Sequence, residues 1–191
     1  MIPLGLILAF AASPHLQGPM VPGEPLTVLV VPTVNDSGDK YEAMKARQDS
    51  ESDSTLHRLF SDHGFSVLLT DPVSPMRIHP RPPIGSASDE QEVLFGLGRD
   101  AHAQFVVFTE ITGTKQMQIH KYLVVPAMAG CVTLKTWLLD IPNHKAILAG
   151  ATAEAQSTAL CESGSDRQTR AVRLALETQL KSFFQFARTG S

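Results

Sequence analysis

The sequence predicts an α+β domain, a mixed and largely antiparallel sheet with helices packed on one face. Three observations carry that reading. Apolar runs follow one another in the order strand, helix, strand, helix, then four strands in succession and a last helix, and strands that succeed one another without intervening helices favour antiparallel pairing. The runs from Val132 to Ile141 and from Ala146 to Gln156 flank Pro142, Asn143, His144 and Lys145, a four-residue hairpin loop. With 191 residues, 43% of them apolar, the chain is long enough for one core, since a domain of ~150 residues buries about 70% of its unfolded surface.

The elements follow in order. Residues 1–12 contain Ile2, Leu4, Leu6, Ile7, Leu8 and Phe10 with small residues at Ala9 and Ala11, a signal-like segment of the kind a signal peptidase reads. No Lys or Arg precedes it, and the competing reading is an apolar N-terminal arm. Residues 13–25 hold Pro14, Pro19, Pro22 and Pro25 with Gly18 and Gly23, an extended linker. A single folded domain is expected over residues 26–188. Leu26 to Val31 reads as a buried strand ended by Pro32, and Asn35 to Gly38 as a turn. Tyr41 to His63 is helical in pattern, with Ala43, Met44, Leu56, Leu59 and Phe60 inward. Its middle, Gln48 to Thr55, is polar, which allows a start as late as Ser52 or Asp53.

Phe65 to Leu69 is a short strand. Residues 71–87 carry five prolines, which excludes helix interior and central strand because proline lacks the amide donor. Ser88 with Gln91 is a capping box opening a helix that carries Val93, Leu94 and Leu97. Strands are then expected from Gln104 to Ile111 and from Met117 to Val125. In the hairpin, the loop length sets Ile141 opposite Ala146, Leu138 opposite Ala149, Leu134 opposite Ala153 and Val132 opposite Ala155, all on one buried face. The wetter face pairs Trp137 with Gly150, Lys135 with Thr152 and Thr133 with Glu154. The alanine row leaves space for the last helix, opened by a Ser165 and Gln168 capping box and carrying Ala171, Leu174, Ala175, Leu180, Phe183 and Phe184 at helical spacing.

Several of these stretches together resemble a family. Val30, Val31, Pro32 followed by Asn35 to Asp39, the stretch Gly98 to Ile111, and Leu138 to Ile141 with its turn resemble the domain shared by the TolB N-terminal region, the curli-secretion pore protein and the penicillin-binding-protein activator lipoproteins. The likeness covers Leu26 to about Arg188, with gaps. It implies a TolB N-terminal-like, anticodon-binding-domain-like fold and a non-enzymatic envelope domain that docks onto another protein. The chain departs from the family at His144, where glycine is usual, in the proline-rich insertion, and in lacking the lipidated cysteine.

Composition excludes several function classes. A formal net charge of −3, from 16 basic and 19 acidic residues, offers no field for phosphate backbones, so no nucleic acid is expected as partner. No apolar run approaches the ~20 residues of a transmembrane helix, and no cysteine precedes Cys131 to form a lipobox. No two of His57, His63, His79, His102, His120 and His144 have the i, i+4 spacing of a helix-borne zinc site, so neither metal nor cofactor is expected. Gly96 and Gly98 lie at a helix end, whereas a phosphate loop needs a strand-to-helix turn, and no serine sits in a hydrolase elbow. Glu110, Asp140 and Glu154 read as solvated sheet charges. A deep pocket lined by Glu110, Asp140 or His120 would favour the alternative, a small exported hydrolase or ligand-binding enzyme whose residues converge only in three dimensions.

The expectation is therefore a non-enzymatic protein-binding or assembly module, exported to the periplasm or cell envelope, with an envelope protein as partner and homo-oligomerisation left open. Cys131 and Cys161 are a candidate disulfide. The proline-rich stretch is the candidate partner-binding segment, with Met76 and Ile78 for apolar contact and Arg77 and Arg81 for charge.

Overall fold

Residues 27–30 are apolar or threonine throughout, and Val28, Leu29 and Val30 are buried, as a strand covered on both faces requires. In the structure, a computed structural model that describes residues 25–69, 87–119, 127–158 and 164–189, this strand lies inside the sheet. The elements are β1 (Thr27–Val30), β2 (Val34–Asn35), α1 (Glu42–Asp62), β3 (Ser66–Leu69), α2 (Ala87–Asp100), β4 (Phe105–Ile119), β5 (Ala127–Asp140), β6 (Lys145–Ser157) and α3 (Gly164–Thr189). β1 runs parallel to β3 on one side and β4 on the other, and β2 continues beside β4. β4, β5 and β6 form an antiparallel meander, giving the order β3-β1-β4-β5-β6. The fold is the expected α+β class, a mixed and mainly antiparallel six-stranded sheet with helices packed against it.

The helices divide between the two faces, where a single helical face is the expectation. α1 and α3 share one core with Val28, Val107, Leu134 and Leu138. Leu94 and Phe95 of α2 pack on the other side, against Leu29, Val106, Phe108, Trp137 and Leu139. The reason is the pattern itself. Consecutive apolar residues such as Val106–Val107–Phe108 and Trp137–Leu138–Leu139 put hydrophobic surface on both faces, and each face needs cover. On the α1 and α3 side, Phe60, Phe65, Phe105, Phe183 and Phe184 form an aromatic cluster in which Phe60 and Phe184 meet edge to face at 5.0 Å.

Hairpin register holds from Val132 opposite Ala155 to Thr136 opposite Ala151, as expected. Closer to the turn it shifts. Trp137 faces Ala149, Leu138 faces Leu148, Leu139 faces Ala146 and Asp140 faces Lys145, because β6 takes up two extra residues as bulges. One is at Gly150, with φ +67, where an added Cβ would come within 3.1 Å of the Trp137 ring. Positive φ and close approach both call for glycine there. Leu148 thus replaces Ala149 against the core, and Ala149 is exposed. Ile141 and Ala146 belong to the α2 face, since Ile141 lies an odd number of positions from Leu138 and strand side chains alternate.

Three further elements differ from expectation. The expected strands 104–111 and 117–125 are one strand over their described part: β4 runs to Ile119, absorbing the irregularity as a bulge at Thr112. α1 is continuous from Glu42, without a late start, because its polar middle meets polar partners. Gln168, expected in a capping box with Ser165, faces the interior. It is buried and accepts a hydrogen bond from Gln48 Nε2 at 3.4 Å. The first turn of α3 rests directly on β5 at Gly130, where a Cβ would lie 2.5 Å from the backbone nitrogen of Gln168.

Candidate interaction surface

α2 is short, and the part of the sheet it covers is sharply bounded. Trp137 and Phe108, with ring centroids 5.3 Å apart, are buried beneath it. The hairpin turn reaches up to hold the helix: His144 adopts φ +48, places Nε2 3.1 Å from Glu92 Oε1, and lays its ring 4.1 Å from that of Phe95. The position where the resembled family usually has glycine thus has positive φ, carried here by histidine, which enters that region more readily than most residues. Asp140 fixes the same turn by accepting from the backbone nitrogen of Asn143 at 3.1 Å and from Asn143 Nδ2 at 2.9 Å.

Beyond α2 the same strands continue with a different character. The rows facing the α2 side become Glu110–Lys135–Thr152, then Gly113–Thr133–Glu154, then Lys115–Cys131–Gln156. Thr152, Glu154, Gln156, Lys115 and Met117 are exposed, and Cys131, Thr133 and Lys135 are half-buried. Among the described residues no helix lies over this half of the face. It offers donors, acceptors and charges of both signs on a rigid three-stranded platform, with Glu110 directly across from Lys135. The predicted wetter face is therefore confined to this half, since Trp137 is buried.

The three carboxylates considered from sequence do not gather into a catalytic set. Asp140 is occupied by the hairpin turn, and it sits five strand positions from Lys135, the partner of Glu110, a span of about 17 Å. Glu154 is exposed on the outer strand. Among the described residues no three His, Cys, Asp or Glu side chains are arranged to hold a metal ion. No helix there is long and apolar enough to cross a membrane. Cys131 is a free thiol on β5. Cys161, His120 and the candidate partner-binding residues Met76, Arg77, Ile78 and Arg81 lie outside the described residues.

A second polar constellation was not singled out from sequence. Gln48, Ser52, Thr55, Thr33 and Gln168 are buried where α1 meets β1, β2 and α3. Burial pushes the carboxyl of Asp49 up to about 6 and raises that of Asp53 as well. The signal was the polar run in the middle of a helix, whose partners lie far away in the chain. Asn35, expected to do turn chemistry, does so by accepting from Ser37 N at 3.2 Å, and also donates to Gln48 at 2.9 Å.

No family model and no curated protein matches the chain. Among solved structures it is similar to lipoprotein GNA1162 from Neisseria meningitidis, at 18% identity over 83% of this chain and 99% of that one, with a TM-score of 0.48. It is similar to the PelC dodecamer protein from Paraburkholderia phytofirmans, at 16% identity, 80% and 86% coverage and a TM-score of 0.41. The LpoB C-terminal domain from Salmonella enterica is similar at 14% identity, 72% and 87% coverage and a TM-score of 0.38. Lipoproteins and an LpoB C-terminal domain are thus among its structural neighbours.

Proposed function

We propose that the chain is a non-enzymatic protein-binding or assembly module, exported to the periplasm or cell envelope, with an envelope protein as its partner. The observation that carries this reading is the uncovered half of the β4–β6 face, where a rigid platform presents Lys135, Thr152 and Glu154 without a helix of the described residues over them. Alternating charges of this kind favour selective contact with a complementary polar surface. The signal-like segment at residues 1–12 and the family resemblance support export. Arg77 and Arg81 of the proline-rich stretch add a second contact in this proposal, on the sequence argument alone.

The test uses the full chain expressed with its N-terminal segment. A photo-crosslinking residue at Thr152 is compared with one at Ser50, an exposed position on α1. One defined adduct at Thr152 and none at Ser50, abolished by Glu154→Arg in an otherwise folded protein, is the expected result. Equal adducts at both positions, or an adduct indifferent to Glu154→Arg, would overturn the assignment of this face.

A further inference from the structure

The N-terminal half of α1 is fastened to the rest of the molecule largely by polar groups. Gln48 and Ser52 are fully buried, Gln168 and Thr33 nearly so. Asn35 Nδ2 donates to Gln48 Oε1 at 2.9 Å, and Gln48 Nε2 donates to Gln168 Oε1 at 3.4 Å, which ties β2, α1 and α3 together. One turn further along α1, Thr33 N donates to Asp53 Oδ1 at 2.9 Å and Thr33 Oγ1 donates to Ser52 Oγ at 2.7 Å. Asp49 stands between these two sets. The nearby Asn35 side chain lowers its carboxyl, while the Oδ1 of Asp49 is buried with no hydrogen-bond partner among the described residues.

We propose that this polar seam is a pH-responsive fastener, which holds Thr33–Asn35 against α1 more tightly when its carboxyls carry a proton than when both are ionised. The geometry supplies the reason. Asp49 and Asp53 are four residues apart on one helix, so two like charges point at the same strand segment, in a place that neighbouring side chains partly shield from water. For Asp49, burial is the largest influence and raises its carboxyl to about 6. Asn35 lowers it, the Asp53 charge raises it, Lys45 lowers it and Glu42 raises it. Asp53 is raised by burial, which outweighs the lowering by Thr33, whose backbone amide donates to it.

Cations from α3 do not relieve the seam. That helix brings uncharged Gln168 to it, Arg173 is engaged by Glu51 at 3.7 Å, and no arginine of α3 is among the charges that lower Asp49 or Asp53. When the seam opens, Asp49 regains its ordinary value of 3.8. The closed form therefore binds the proton more strongly, so its hold is complete below that value and is lost as pH climbs through about 6. The segment released is the one leading to Tyr41, which is 70% exposed.

Amide hydrogen exchange on the full chain between pH 4.5 and 7.5, corrected for intrinsic rates, tests the proposal. The opening constant of the Thr33 amide and of amides in residues 42–53 should rise about tenfold over that range, a part of the shift that full burial would give because the Asp49 carboxyl retains contact with solvent. In Asp49→Asn the rise should fall below about twofold, with amides of Val107 and Leu138 unchanged in both proteins. Flat opening in the wild type, or an equal rise in the variant, would overturn it. Should Asp49→Asn fail to fold, the carboxyl carbon resonance of Asp49 in the wild type decides: a midpoint near 6 supports the proposal, and one below 4.5 overturns it.

Discussion

The two faces of one sheet differ chiefly in the length of the helix laid on them. α3 has 26 residues and α2 has 14, or about 39 Å against about 21 Å at the rise of an α-helix. β4 and β5, with 15 and 14 residues, extend for about 45 Å. The long helix follows the strands from the aromatic cluster to Gly130. The short one stops partway, and from there the side chains beneath change from Trp137 and Leu139 to Thr133 and Lys135. Helix length therefore sets where core ends and surface begins on an otherwise continuous strand.

Phe60→Ala strikes the better-covered face and has the largest expected effect. Phe60 is fully buried and meets Phe65, Phe183 and Phe184, so its truncation should cost about 3–5 kcal/mol in urea unfolding. A loss under about 1 kcal/mol would mean that the two layers do not differ as described. On the α2 face, Gly150→Ala should cost about 1–2 kcal/mol, because the residue must hold φ +67 beside the Trp137 ring. A change in tryptophan fluorescence should accompany it. The smallest effect belongs to the uncovered half, where Glu154→Lys should alter stability by less than about 0.5 kcal/mol in the same unfolding assay. A larger loss would show that this half is part of the packed structure after all.

The same contrast explains what could be read from the sequence. Strict alternation in Val132 to Lys135 fixed the register there, because a slip by one residue would have turned Leu134 outward. Nearer the turn, alternation fails in the pair Ile147–Leu148, and Gly150 interrupts the strand. Both were bulge signals, since glycine inside a strand often marks one. The second helical face was also legible in Trp137–Leu138–Leu139, apolar at successive positions. The seam was not. Gln48, Ser52 and Thr55 look like a solvated helix face, and only the fold brings Thr33, Asn35 and Gln168 to them. The uncovered half of the sheet was visible as the wetter row Lys135, Thr152, Thr133 and Glu154, but its limit depends on where α2 stops.

The two bulges of β6 have a consequence for how molecules of this protein meet at high concentration. β6 is the outermost strand on its side of the sheet, and a straight outer strand is a template on which another chain can grow as cross-β. Here the strand is bent at Ile147 and again at Gly150, and Gln179 Nε2 of α3 donates to the carbonyl oxygen of Ala151 at 2.5 Å. The half of the strand nearest the hairpin turn thus offers no regular ladder to copy. On the opposite margin the described part of β3 has four residues, and a short edge strand is one way in which proteins blunt an edge. Along Thr152 to Ser157, where the pairing with β5 is regular, Glu154 would place a charge in each added rung.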